Sequence, residues 1–385
     1  MAVDSGAAPG TDVLLAEARR LRPVLAARRE QTDKDRRVPK SSIDELKAAG
    51  LTRLLQPRSF GGQQGTYDTF IRITEELAYG CPSTAWVYSV FTEHMWVLAS
   101  YPEATQFEVW GDDPTAVASS SLAPRAVAEA VSGGFRLGGK WSFSSGCDHA
   151  EWMIVGAFVP ASDGSREVYY MLVPRRDLII DDDWYVLGLG GTGSKSLVLD
   201  DVFIPEEHAL SEADLGVGRP PGAPVHPTYD LLRAPRAAFA PLTLPPVLLS
   251  LAEQASALVA KVLAGRVSRG VKQADLETTQ LRFAKGLTEI RAARTVLYAV
   301  CEESTRRSRT GEWDSTYLVS TRADLAFCCR QLREAVMGLC DLTGGSWAYN
   351  GDPLQQVLRD MLTASSHRIM QWESAAVAYG GVALQ

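Results

Sequence analysis

The chain has 385 residues, 46% of them hydrophobic and 22% charged, with 39 basic against 46 acidic side chains and a formal net charge of −7. That length implies two or three packed units rather than one core. The acidic balance excludes a general nucleic-acid binder and disfavours electrostatic docking on an anionic membrane. The first ten residues, Met1 to Gly10, are small and acidic rather than basic then apolar, so no secretory leader is expected. The longest apolar region, Ala237 to Leu263, contains Pro241, Pro245, Pro246, Glu253 and Lys261, which argue against a membrane span. Six cysteines form no C-x-x-C pair, and five histidines show no metal-ligand spacing. No disulfide framework and no protein-bound metal are expected, and a reduced cytoplasm is the expected setting.

In chain order, Val13 to Arg29 carries apolar residues at helical spacing, and Ser41-Ser42 before Ile43-Asp44-Glu45-Leu46 predicts a second helix stopping at Gly50. Tyr67 to Tyr79 reads as helix. Pro82-Ser83 opens another, in which Trp86, Val90 and His94 are four apart and share one face. From Ala116 to Pro205 the pattern changes to short β-rich runs (135–137, 152–159, 168–173, 197–203) separated by turn clusters, which predicts an antiparallel β domain. Gly216 to Pro227 is rich in Pro and Gly and reads as a linker. Beyond it, 244–263, 276–305, 315–342 and 354–378 predict a four-helix bundle. The expected division is an N-terminal α-helical domain over 1–115, a central β domain over 116–227 and a C-terminal bundle over 228–385.

Gly188-Leu189-Gly190-Gly191-Thr192-Gly193 satisfies the dinucleotide-binding spacing G-x-G-x-x-G, but that motif must close a strand and open a helix. Here the following residues, Leu197 to Pro205, alternate like a strand, so a glycine-rich turn in a sheet is expected. Gly193-Ser194-Lys195-Ser196 does not place its lysine directly after the glycine, as a phosphate loop requires.

The C-terminal order Leu342-Thr343-Gly344-Gly345-Ser346-Trp347, Asp352-Pro353-Leu354, Arg359-Asp360 and Tyr379-Gly380-Gly381 resembles that of acyl-CoA dehydrogenases. The segments Trp141 to Gly146 and Leu187 to Pro205 are similar to that family's two flavin-contacting stretches. Within the superfamily, the run from Trp141 to Trp152 resembles the oxygenase components of two-component flavin-dependent monooxygenases, such as 4-hydroxyphenylacetate hydroxylase. The resemblance implies an acyl-CoA dehydrogenase-like fold and a cofactor of reduced FMN or FAD delivered by a separate NAD(P)H:flavin reductase. It also implies O2 as co-substrate, a flavin hydroperoxide, hydroxylation of an aromatic, phenol-like or natural-product substrate, and a homotetramer. Relatives on this scaffold hydroxylate nitrogen, which keeps N-oxygenation as an alternative. A true dehydrogenase is a second alternative, although Gly380 stands where many dehydrogenases carry their glutamate base, so that base would have to be relocated.

The same resemblance implies the site. Ser145 lies near the flavin N5. Trp141 and Ser144 line the same segment, and Thr192 and Ser194 contact the flavin from the glycine-rich turn. His367 serves as general base or substrate anchor, two helical turns beyond Arg359-Asp360. His94 and Ser120 bond the substrate oxygen or the peroxide, Ser120 being chosen from Ser119-Ser120-Ser121. His149 is the weaker histidine beside the flavin motif, His208 and His226 are loop residues, and Arg359-Asp360 is read as a structural pair or an oligomer contact.

Overall fold

The computed structural model describes residues 10–268 and 270–385, so the reading of Met1 to Pro9 lies outside the described residues. The chain runs through five helices, α1 (Thr11–Lys34), α2 (Lys40–Ala48), α3 (Tyr67–Gly80), α4 (Pro82–Ala99) and α5 (Glu103–Trp110). Eight strands follow: β1 (Ala118–Val127), β2 (Glu129–Val131), β3 (Gly134–Ser144), β4 (Trp152–Pro160), β5 (Arg166–Pro174), β6 (Ile179–Asp181), β7 (Lys195–Pro205) and β8 (Ala209–Ser211). After the short α6 (Glu212–Gly216) come α7 (Pro245–Gly265), α8 (Glu277–Thr310), α9 (Ser315–Leu342), α10 (Pro353–Ala364) and α11 (Trp372–Ala383).

Local chemistry sets the boundaries. Thr66 caps α3 by accepting from the Thr69 N–H, and Pro82 sits where a missing N–H costs α4 nothing. Gly50 ends the α2 region with φ of +72°, a conformation that favours glycine. The Ser41-Ser42 capping expectation is corrected: α2 starts at Lys40 after Pro39, and Ser42 lies inside the helix, accepting from Arg28 Nη1 at 3.0 Å.

The strands make two four-stranded sheets, ordered β1-β4-β5-β8 and β2-β3-β7-β6. The expectation of a wholly antiparallel domain holds for the second sheet; in the first, β1 pairs with β4 in parallel. Two further expectations are corrected. Residues 354–378 are not one helix: the chain breaks between Ala364 and Trp372, through a 3₁₀ turn at Arg368–Met370. The Pro/Gly-rich stretch 216–227 is packed rather than free, with Gly222 N–H donating to Ser100 O and His226 Nε2 bonded to Gln106 Oε1 at 2.7 Å.

One cluster of buried side chains runs through the helices and both sheets. The segment Arg236–Gly265 is long and apolar enough to cross a membrane, but half of it is buried in the fold, where α7 packs on α3, α9 and α10. The central helix α4 packs on α3, β1 and α7. Every residue of α4 is buried except Val90, which is half-buried. An α-helix buried all round has no solvent stripe, and Val90 is the one half-open position on it.

Candidate active site

Val90 shares one face of α4 with Trp86 and His94. At one end, His94 is 2% exposed. Its Nδ1 is 2.8 Å from Ala118 O and its Nε2 is 2.9 Å from Ser120 Oγ. A carbonyl only accepts, so Nδ1 carries the proton and Nε2 accepts the Ser120 hydroxyl. Burial pushes the ring's pKa down, which favours this neutral tautomer.

Strand alternation decides among the three serines. Ser119 donates to Ser145 O at 2.7 Å and Ser121 to Ser142 O at 2.7 Å, both structural tasks within the sheets. Ser120 points the other way, to His94.

At the other end, Ser145 Oγ accepts the Trp86 indole N–H at 3.1 Å and lies 2.7 Å from Ser194 Oγ. Ser194 Oγ lies 2.8 Å from Thr192 Oγ1, which donates to Leu189 O at 2.9 Å. Because the indole can only donate and the carbonyl can only accept, the protons have one consistent order, from Trp86 through Ser145, Ser194 and Thr192 to Leu189. The result is a row of uncharged hydroxyls, buried but next to the cleft, which suits the alternating nitrogen and carbonyl edge of an isoalloxazine. Its base is the glycine-rich turn, where a Cβ on Gly188 would stand 2.2 Å from Arg359 O and one on Gly191 2.3 Å from Thr32 Cγ2. These glycines let α10 and α1 approach, and β7 follows the turn instead of the helix that a dinucleotide motif needs. Lys195 is buried in ion pairs with Asp148 (3.0 Å) and Asp182 (3.3 Å), not presented to a phosphate.

Asp360 locks the turn to the helices. Its Oδ1 accepts from Leu189 N at 2.8 Å and its Oδ2 from Arg29 Nη2 at 3.0 Å. Burial pushes its carboxyl up, against Arg29 and the Leu189 N–H, which pull it down. Arg359 donates to Leu187 O at 3.1 Å. The two residues are thus not paired with each other; both hold the turn.

His367 is not on a helix. It caps the 3₁₀ turn in the break after α10, with Nδ1 accepting from Ile369 N–H at 3.3 Å, and its ring stands edge-on to Trp86 at 5.8 Å between centroids. The ring is exposed, yet protein surrounds it closely. This enclosure, with Arg368 and Arg236 nearby, pushes its pKa down to about 4. A neutral ring whose Nδ1 accepts must carry its proton on Nε2. In this arrangement His367 offers an N–H, which suits the substrate-anchor form of its expected role.

Two expected cofactor contacts are also corrected. Trp141 is fully buried between the sheets, donating to Gly156 O at 2.7 Å, and Ser144 is fully buried, 2.6 Å from Ser119 Oγ. Neither side chain has a face left for a cofactor. His149 turns away to Val38 O (2.7 Å) and lines a separate cleft of about 970 Å³ with Arg37, Lys47 and Arg175. His208 and His226 are in turns and buried. Sequence reasoning missed the roles of Trp86, on the flavin side, and of Glu93 and Arg236, paired at 2.9 Å beside His94. The helical spacing 86, 90, 93, 94 was the available signal.

The chain is similar to known proteins over most of its length. Residues 14–111 match the family described as acyl-CoA dehydrogenase, N-terminal domain, and residues 242–372 the acyl-CoA dehydrogenase, C-terminal domain. Over 362 residues, 91% of this chain and 88% of the relative, the chain is 35% identical to the FADH(2)-dependent resorcinol hydroxylase, oxygenase component, of Rhizobium sp. (strain MTP-10005). It is 32% identical to the flavin-dependent monooxygenase oxygenase subunit HsaA of Rhodococcus jostii, covering 94% of this chain and 95% of that one. The crystal structure of the HsaA monooxygenase from M. tuberculosis superposes with a TM-score of 0.91 at 31% identity over 98% of each chain. The fold is that of the acyl-CoA dehydrogenases. Within that superfamily, the chain belongs to the oxygenase components of two-component flavin-dependent monooxygenases. It is an oxidoreductase whose cofactor is reduced flavin, the state bound in the Streptomyces XiaF structure, which superposes with a TM-score of 0.87 at 26% identity over 97% of this chain and 95% of that one.

Proposed function

We propose that this oxygenase hydroxylates a phenol-like aromatic ring, with Ser120 and His94 gripping the substrate hydroxyl and Ser145, Ser194 and Thr192 holding the flavin. The observation that carries this reading is the shared face of α4, which supports Ser145 through Trp86 and orients Ser120 through His94. Relatives named for resorcinol, p-hydroxyphenylacetate and indole-3-acetate support an aromatic acceptor, and the name "oxygenase component" supports a separate reductase. Exposed apolar side chains such as Leu281, Phe327, Met337 and Val377 on the bundle helices support a homotetramer; work in the cytoplasm fits the six free cysteines.

Bound reduced flavin supplies the two electrons that let one atom of O2 enter the ring while the other leaves as water. The chain supplies the rest. A substrate hydroxyl donating to Ser120 Oγ joins a relay that ends on His94 Nε2. Because burial lowers the basicity of His94, this relay polarises the phenol and makes its ring more nucleophilic without storing a full imidazolium. His367, edge-on to Trp86, offers an Nε2–H that would stabilise charge developing on oxygen. The dehydrogenase alternative lacks a free base beside this cleft, since Glu93 is held by Arg236 and Gly380 lies on the outer helix α11.

The test is anaerobic titration with reduced FMN and reduced FAD, followed by oxygenated buffer and a panel of phenols, amines and acyl-CoA thioesters. Hydroxylated phenol that depends on reduced flavin is expected. Flavin reduction by an acyl-CoA with no phenol product would overturn the reading.

A further inference from the structure

Beside His94 lies an ion pair that the hydroxylation mechanism does not use. Glu93 follows Trp86 by seven positions on α4 and adjoins His94, so it lies on the helix face that borders the cleft. Its Oε1 is 2.9 Å from Arg236 Nη2, with side-chain exposures of 9% and 22%. Arg236 is close enough to both His94 and His367 for its charge to disfavour protonation of either ring. It begins a short 3₁₀ turn, Arg236–Ala238, which packs on α6 and α9. Its Nε is buried without a hydrogen-bond partner.

An unpaired guanidinium here would attract a substrate carboxylate in a fork geometry. Glu93 already takes one donor of that guanidinium, Nη2, and sets its own negative charge beside it. A carboxylate that reached Arg236 would stand beside the Glu93 carboxylate in a water-poor space, where like charges repel far more strongly than in bulk water. A neutral hydroxyl meets no such opposition, because it donates to the carboxylate and accepts from the guanidinium.

We infer that the Glu93–Arg236 pair selects a phenol whose second polar group is an uncharged hydroxyl, rejecting phenols that carry a carboxylate. This rests on the phenol-hydroxylase reading above and narrows it to a substrate class.

Two probes of nearly the same frame separate the choices: 2-(4-hydroxyphenyl)ethanol, with a neutral hydroxyl, and 4-hydroxyphenylacetate, with a carboxylate. Binding of each to the full-length protein with reduced flavin is measured by anaerobic calorimetry, and the affinity for reduced flavin alone is recorded first. The wild-type protein is expected to bind the alcohol at least about 10-fold more tightly than the acetate, about 1.4 kcal/mol. Glu93→Gln is expected to shift that ratio at least 10-fold toward the acetate. The double variant Glu93→Gln with Arg236→Gln is expected to lose that gain, because the cation is gone. Equal or tighter binding of the acetate by the wild-type protein overturns the inference and needs no variant to fold. Binding of reduced flavin with no discrimination between the probes overturns the inference alone, whereas failure to bind reduced flavin overturns the reading beneath it.

Discussion

Replacing Ser145 with alanine removes the central hydroxyl of the row between Trp86 and Ser194. The structure sets the size of the effect. Ser145 Oγ is the acceptor for the Trp86 indole N–H at 3.1 Å and the partner of Ser194 Oγ at 2.7 Å, and all three residues are buried. Leaving a buried donor without its acceptor costs about 1–3 kcal/mol. With an unfolding entropy of about 2.1 cal/mol/K per residue, a chain of 385 residues loses only about 1–4 °C of Tm for that cost. The Ser145→Ala protein should therefore fold and still bind reduced flavin, while releasing more hydrogen peroxide per reduced flavin consumed and less hydroxylated product. Trp86→Phe removes the other partner of the same bond, so the double variant should lose about 1 kcal/mol less than the sum of the single losses. Peroxide yield and urea midpoints measure the two claims. Unchanged coupling in Ser145→Ala would refute the role of this hydroxyl at the flavin, and strictly additive losses would refute the bond as an energetic link.

Other outcomes follow from the same geometry. Ser120→Ala and His94→Ala should each lower the hydroxylation rate by about 10²-fold, as loss of a proton-relay member does, and the double variant should be little worse than either; independent losses in steady-state rates would separate the two residues. Gly188→Ala should destabilise the protein by more than an ordinary surface change, since its Cβ would meet Arg359 O at 2.2 Å, and a urea midpoint equal to wild type would count against the close approach of α10. Acid should weaken the fold: burial leads in pushing the His94, His149, His226 and His367 rings down, so the unfolded chain takes up protons first. Stability that is full above about pH 6.5 should fall toward the His367 value of about 4. Glu75 and Asp360, whose carboxyls burial pushes up, should soften the lower end of that loss. A midpoint that rises on acidification from pH 7 to pH 5 would contradict the sign.

The sequence was most informative where periodicity meets chemistry. The spacing of Trp86, Val90 and His94 defined one helix face, and that face borders the cleft. The alternation of β1 would also have chosen Ser120 without any structure, because Ser119 and Ser121 must share the opposite side. The glycine-rich turn was recognisable as a false dinucleotide motif because a strand, β7, follows it. Other features depended on packing between distant segments. Nothing local says that Trp141 donates to Gly156 O across the sheets, or that Asp360 reaches Leu189 N, 171 positions away in sequence. The break around His367 was hidden because Ser365, Ser366 and His367 fit a continuous helical pattern; the 3₁₀ turn there follows from packing of Met370, which is 4% exposed. The pairing of Glu93 with Arg236 joins α4 to a turn 143 positions later, beyond any sequence rule.

The most direct test of the account is a single-turnover reaction of the protein, preloaded with reduced flavin and a neutral phenol, with ¹⁸O2 in unlabelled water, read by mass spectrometry of the product. One ¹⁸O atom in the new ring hydroxyl is the predicted result. A product with oxygen from water, or oxidation of the substrate with no oxygen gained, would contradict the assignment of this cleft to oxygenation.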